Sequence, residues 1–107
     1  MEQCLTTKGT ELIRISVVDS ELRLVYDTLV LPSAPVVDYC TRWSGVTQEM
    51  LDGVTTQLQD VQRDLLAIIS ADTILVGHSL ENDLKAMKVI KFIHFSFIIF
   101  TLLCQFT

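Results

Sequence analysis

Two carboxylates open the question of chemistry. Glu2 lies in an apolar-flanked segment at the start of the chain, and Asp83 lies near the start of a helical pattern that follows a short apolar run. In open α/β sheets, ligands gather where strands end and helices begin. Carboxylates at such a place can hold a hard divalent cation. The alternative is that Glu2 frays with the terminus and that Asp83 only complements the helix dipole in a first turn. His78 precedes Asp83 with four residues between them, the separation of a base and an orienting acid or of a locally bonded strand-end histidine. His94 has no acid after it. Arg42-Trp43, beside Ser44-Gly45, can stack on or clamp a nucleotide, or can be a loop arginine and a packing tryptophan. No Walker loop, GxGxxG, HExxH or GxSxG pattern is present.

The elements that must position these residues follow from periodicity. Glu11–Asp19 alternates, with Ile13, Ile15 and Val17 on one face and Arg14 and Ser16 on the other, the pattern of a half-buried strand. Asp19-Ser20-Glu21 signals a turn, and Leu22–Leu31 is a second β-prone run, so the pair predicts an antiparallel hairpin. Met1–Cys4 is a short strand remnant and Leu5–Gly9 a loop. Pro32 and Pro35 end the hairpin and open a loop to about Tyr39. A helical turn follows at Thr47–Leu51 with Thr47 as N-cap. Thr56 and Gln59 have capping-box spacing. Leu58, Val61, Leu65 and Ile68 then mark an amphipathic helix ending near Ser70. Thr73–Gly77 predicts a short strand at a sheet centre. Leu80, Leu84 and Met87 mark one face of a last helix. The fold class is therefore α/β, a mixed sheet with helices packed on it.

Composition bounds the rest. A chain of 107 residues, 50% hydrophobic and 20% charged, is one small domain and not a disordered tail. A net charge of −5 argues against a protein that coats polyanions through clustered bases. All 13 acids lie within residues 1–83, whereas residues 84–107 carry three lysines and all five phenylalanines. The apolar stretch inside Phe92–Phe106 is shorter than the roughly 20 residues that span a bilayer. Met1-Glu2-Gln3-Cys4 has no basic segment followed by an apolar one, so no signal peptide is expected. Cys4, Cys40 and Cys104 match no metal or disulfide spacing, which predicts reduced thiols.

Several segments in order then carry a resemblance. Glu2-Gln3-Cys4-Leu5-Thr6-Thr7-Lys8-Gly9-Thr10-Glu11-Leu12 resembles the first motif of the DEDDh 3′–5′ exonucleases, in their RNA exonuclease branch. Val25-Tyr26-Asp27-Thr28-Leu29-Val30, Asp38-Tyr39 and Thr41-Arg42-Trp43-Ser44-Gly45-Val46-Thr47 resemble its middle segments. Val76-Gly77-His78-Ser79-Leu80-Glu81-Asn82-Asp83-Leu84 is similar to its second motif. The resemblance runs from about Glu2 to Ile90.

It implies a ribonuclease-H-like fold and phosphodiester hydrolysis releasing nucleotides from the 3′ end of a single-stranded nucleic acid, RNA preferred. Four carboxylates in the family bind two ions, Mg²⁺ or Mn²⁺, that activate water and stabilise the leaving oxygen. Glu2 and Asp83 match the first-motif glutamate and second-motif aspartate, both catalytic and metal-binding. Arg42 and the loop Ser44, Gly45, Val46 and Thr47 match the segment bordering the terminal nucleotide. His78 is not the family's catalytic histidine. The first-motif aspartate belongs two positions ahead of Glu2, and the third motif beyond residue 107. The expectation is a partial exonuclease domain over 1–90 and a divergent apolar tail over 91–107. Such a chain is expected to bind metal weakly or not at all, to be catalytically inactive and to be marginally stable. The alternative is a non-catalytic nucleic-acid- or partner-binding fragment. No membrane partner is expected, and the compartment is nuclear or cytoplasmic, the nucleus favoured.

Overall fold

The computed structural model describes residues 1–70, 72–78 and 80–88, and expectations about the tail lie outside them. The chain divides into two compact units, Met1–Val61 and Gln62–Thr107.

The first unit is built on a four-stranded sheet. Its strands are β1 (Glu2–Thr6), β2 (Gly9–Val18), β3 (Leu24–Leu29) and β4 (Val36–Asp38), in the spatial order β3-β2-β1-β4. The predicted hairpin is present as β2 and β3, paired Ile15 to Thr28 and Ser16 to Asp27. Its turn is organised by one side chain. Asp19 Oδ1 accepts the backbone amides of Glu21 and Arg23, each at 2.9 Å, while Arg23 Nε donates to Asp19 Oδ2 at 3.1 Å. An aspartate satisfying amides two and four residues on is what lets Leu22 hold a left-handed φ of 64°. Asp19 has its carboxyl held below the ordinary value, the Arg23 amide being the largest cause.

Ile13 and Ile15 are buried and Ser16 faces outward, as alternation requires. Leu12 is buried too, so the strand is covered on both sides at that point. Cys4, Ile13, Val46 and Leu51 form the core, with Leu29, Val36, Tyr39 and Val54 packed against them. The tight β1–β2 connection needs Gly9, whose φ is 106°.

Glu11 ties the sheet to the loop ahead of β4. Its Oε1 accepts the Ser33 amide at 2.8 Å and the Ser33 hydroxyl at 2.6 Å, and its Oε2 accepts the Thr6 hydroxyl at 2.7 Å. The Thr6 oxygen also lies 2.9 Å from the Gly9 carbonyl. One hydroxyl proton serves one acceptor at a time, and the charged carboxylate is the stronger. Burial pushes the Glu11 carboxyl up, but the bonds from Ser33, Thr6 and the Ser33 and Ala34 amides outweigh it, so its pKa is lowered.

Helix α2 (Leu58–Ile68) starts at the end of the first unit and continues in the second. The capping pair is not Thr56 with Gln59. Asp60 Oδ2 accepts the Gln57 amide at 2.8 Å, and the Gln57 carbonyl receives the first helical amides. That is the reciprocal half of a capping box displaced by one residue, because a carboxylate accepts an amide better than a neutral amide side chain does. Val61 and Leu65 of the predicted stripe are buried, but Ile68 is exposed and Ile69 is half-buried in its place.

In the second unit, helix α3 (Leu80–Met87) buries Leu84 and Met87, as its periodicity predicts. Gln62 Nε2 donates to the Met87 carbonyl at 2.8 Å, satisfying a group that a helix end leaves orphaned. Lys88, with φ 56°, stops the helix in the left-handed region.

Three expectations are corrected. Thr73–Gly77 forms no ladder, and Ile74 and Val76 are 66% and 74% exposed instead of central. A β-prone run becomes a strand only where it meets a hydrogen-bonding partner, which composition alone does not supply. The second correction follows from the first. Every ladder among the described residues is antiparallel, where a mixed sheet was expected. Third, the presumed loops hold structure: β1 extends to Thr6, β2 begins at Gly9, and β4 lies between Pro35 and Tyr39.

Candidate functional site

Glu2 begins β1, opposite Arg14 of β2, with a bulge between Glu2 and Gln3. Bulges re-aim side chains at the ends of ladders. A cleft of about 210 Å³ opens there, lined by Met1, Glu2, Arg14, Ser16 and Ser44. Arg14 is fixed by Asp27 across the hairpin, Nε to Oδ1 at 3.3 Å and Nη2 to Oδ2 at 3.2 Å, and Ser16 Oγ donates to Asp27 Oδ1 at 2.8 Å. The Asp27 hydrogen bond and charge, with a further contribution from Glu2, raise the Arg14 pKa. Asp27 is lowered by Arg14 and Ser16 in turn. Arg14 also lines a larger cleft of about 530 Å³, with Asp27, Thr28, Leu29 and the segment around Met50–Thr56.

Ser44 reaches the Glu2 cleft from a short helix that the sequence did not announce, α1 (Thr41–Ser44), which contacts β1. Left-handed residues bound it on both sides, Cys40 at φ 52° and Gly45 at φ 71°. Its polar groups are satisfied locally. Thr41 Oγ1 donates to the Val46 carbonyl at 2.7 Å, Ser44 Oγ donates to the Tyr39 carbonyl at 3.0 Å, and the Val46 amide donates to Ser44 Oγ at 3.0 Å. Val46 is wholly buried in the core and anchors the loop from below. The predicted helical turn is one turn of 3₁₀ helix, Glu49–Leu51. Gln48 is its N-cap residue, and the Thr47 hydroxyl accepts the Met50 amide at 3.3 Å.

Of the residues predicted from sequence, Glu2 and Ser44 therefore share a cleft. Gly45, Val46 and Thr47 shape the loop behind it. Arg42 points outward, its guanidinium 5.1 Å from the centre of the Trp43 ring. Asp83 sits half-buried in the first turn of α3, in the second unit, where Glu81 also complements the helix dipole. Glu2 belongs to the first unit and Asp83 to the second. His78 is exposed in a turn ahead of α3.

The sequence reading passed over Arg14, Ser16 and Asp27. Arg14 and Ser16 read as the solvent face of a strand. The hairpin register was the available signal, since pairing Ser16 with Asp27 places the carboxylate diagonal to Arg14.

A hard divalent ion takes six or more oxygen ligands, several of them carboxylate. Among the described residues no group of three or more His, Cys, Asp or Glu side chains is placed to hold one. Beside Glu2 stands a cation, Arg14. The residues described do not fit a two-ion centre.

The four-stranded sheet and the helices make this an α/β protein, and a match to a solved structure gives its fold as ribonuclease-H-like. The catalytic unit of Neurospora crassa Pan2, comprising protease and nuclease domains, matches this fold with a TM-score of 0.69 at 22% identity, over 80% of this chain and 16% of that one. The exonuclease family model RNase_T matches residues 6–98, and the chain belongs to that family. It is 55% identical over 89 residues to the human RNA exonuclease 1 homolog, 83% of this chain and 7% of that protein. It is 52% identical to RNA exonuclease 1 of Saccharomyces cerevisiae, covering 82% of this chain and 16% of that protein. Against human RNA exonuclease 5 it is 52% identical over 83% of this chain and 12% of the relative. The chain thus spans less than a fifth of the length of each of these relatives.

Proposed function

We propose that this chain is part of an RNA exonuclease that removes nucleotides from a 3′ end, with Glu2 and Asp83 as two of its metal-binding acids and the Arg42–Thr47 segment bordering the terminal nucleotide. The observation that supports this best is the shared cleft of Glu2 and Ser44, beside Arg14. Glu2 and Ser44 line one cleft, in a chain that over 89 residues is 55% and 52% identical to two proteins named RNA exonucleases. A guanidinium at the cleft wall suits a phosphodiester backbone. The 3′–5′ polarity and the dependence on Mg²⁺ or Mn²⁺ rest on the motif resemblance.

A second reading concerns the 107-residue chain alone. Because the motif resemblance assigns only Glu2 and Asp83 of the family's catalytic residues to this sequence, we propose that this chain by itself binds an RNA 3′ end without cutting it. The test is a 5′-labelled single-stranded RNA incubated with the chain and Mn²⁺. The expected result is retained, full-length RNA. A ladder shortened from the 3′ end would overturn the inactive reading, and absence of any RNA binding would overturn both.

A further inference from the structure

Trp43 is the chain's single tryptophan, and it stands 77% exposed. Tryptophan is large and highly buried on average, so one held out in water asks for a reason. Packing supplies none, since Trp43 is outside the core cluster. Flexibility supplies none either. The helix that carries it is closed by left-handed residues at both ends, by the bonds of Thr41 and Ser44 to backbone carbonyls, and by Val46 in the core. The Arg42 guanidinium lies over the ring, 5.1 Å from its centre, a cation–π contact on one face. The sequence therefore builds a rigid mount and places an uncovered aromatic plane on it. The next residue, Ser44, turns inward and lines the Glu2 cleft.

We propose that Trp43 is a stacking platform for one base of a single-stranded RNA whose backbone enters the Glu2–Arg14–Ser44 cleft. Arg42 backs one face of the indole and the other face takes the base. Stacking on an aromatic plane is tolerant of sequence because every base has a π-face. A rigid mount makes the contact effective, because no loop has to be ordered when RNA binds. Arg42, in the same short helix, supplies a positive charge for a neighbouring phosphate. The proposal rests on the RNA reading above and assigns to Trp43 a role that the motif resemblance does not give it.

The test uses the full 107-residue chain in EDTA, so that binding is read without hydrolysis. Oligoadenylate of ten nucleotides is titrated while the fluorescence of the single tryptophan and the anisotropy of labelled RNA are followed together. Quenching of Trp43 in step with binding is expected. Trp43→Ala should weaken binding roughly tenfold or more, and Trp43→Phe should recover most of it. Trp43→Leu keeps an apolar side chain without a π-face and should behave like the alanine variant. Far-UV circular dichroism of all three variants should match the wild type, because the side chain is exposed. RNA binding without quenching, or binding unchanged in Trp43→Ala or fully retained in Trp43→Leu, would overturn the platform while leaving the RNA reading intact. No RNA binding by the wild type would overturn both.

Discussion

Replacing Glu11 by glutamine separates charge from shape at the joint between the sheet and the loop that leads to β4. Glutamine keeps an acceptor for the Ser33 amide and hydroxyl, now at 2.8 and 2.6 Å from Oε1. It loses the charge, and the Thr6 hydroxyl can turn to the Gly9 carbonyl 2.9 Å away. A shielded hydrogen bond to a charged group contributes about 1.5–3 kcal/mol net. The Ser33 bonds face solvent, which discounts each towards the roughly 0.2–1 kcal/mol of a surface ion pair. Three weakened bonds then sum to about 1–2 kcal/mol, a fall in Tm of about 5–10 °C for a domain of this size. The pH dependence makes the attribution specific. A carboxyl whose folded pKa lies below its ordinary 4.5 contributes stability that is present above that value and is lost as pH falls through the folded pKa. Glu11→Gln cannot titrate there. Thermal melts by circular dichroism should therefore show a gap at pH 7 that narrows at acid pH, as pH falls below 4.5 through the folded pKa, with Asp19 and Asp27 titrating alike in both proteins. A gap of the same size at pH 7 and at acid pH, or none at pH 7, would refute the reasoning.

The thiols of Cys4 and Cys40 should differ in reactivity. Cys4 is 1% exposed, and burial, with the charges of Glu11 and Cys40, pushes its thiol from 9.0 to about 11, so its thiolate fraction at pH 8 falls about 100-fold below an ordinary cysteine's. Timed alkylation with mass mapping should label Cys40 first, and equal rates would contradict this. Val46→Ala removes a fully buried side chain from the core beneath the Ser44–Thr47 loop and should cost about 1–3 kcal/mol, read as a lower urea midpoint with an unchanged slope. An unaltered midpoint would mean that Val46 does not anchor the loop. Leu22→Asn should stabilise the hairpin by about 0.5–1 kcal/mol, because Asn tolerates the left-handed φ of 64° better than Leu and an exposed apolar side chain is removed. A lowered Tm would show that Leu22 makes a contact worth more than its strain.

What the sequence determined by itself is what short-range periodicity encodes. Ile13 and Ile15 alternate with Arg14 and Ser16, and Asp19 closes the turn, so the β2–β3 hairpin was readable from local spacing. Leu80, Leu84 and Met87 announced α3 in the same way. The ordered segments from Glu2 to Asp83 pointed to the exonuclease family, because residue types at fixed spacing survive without any knowledge of packing. The tertiary structure decided the rest. Thr73–Gly77 has the composition of a central strand, yet a strand exists only where a partner's hydrogen-bonding edge meets it, and this segment stands in no ladder. β4 is three residues long, too short to declare a period, and it forms because β1 offers Leu5 and Thr6 as partners. The capping pair moved to Gln57 and Asp60 because charge outranked the neutral signature at Thr56. At the candidate site, Glu2 was legible as a motif residue, but its cleft was not. Arg14 and Ser16 come from β2 and Ser44 from a short helix, and only folding brings those parts of the chain to Glu2 on β1.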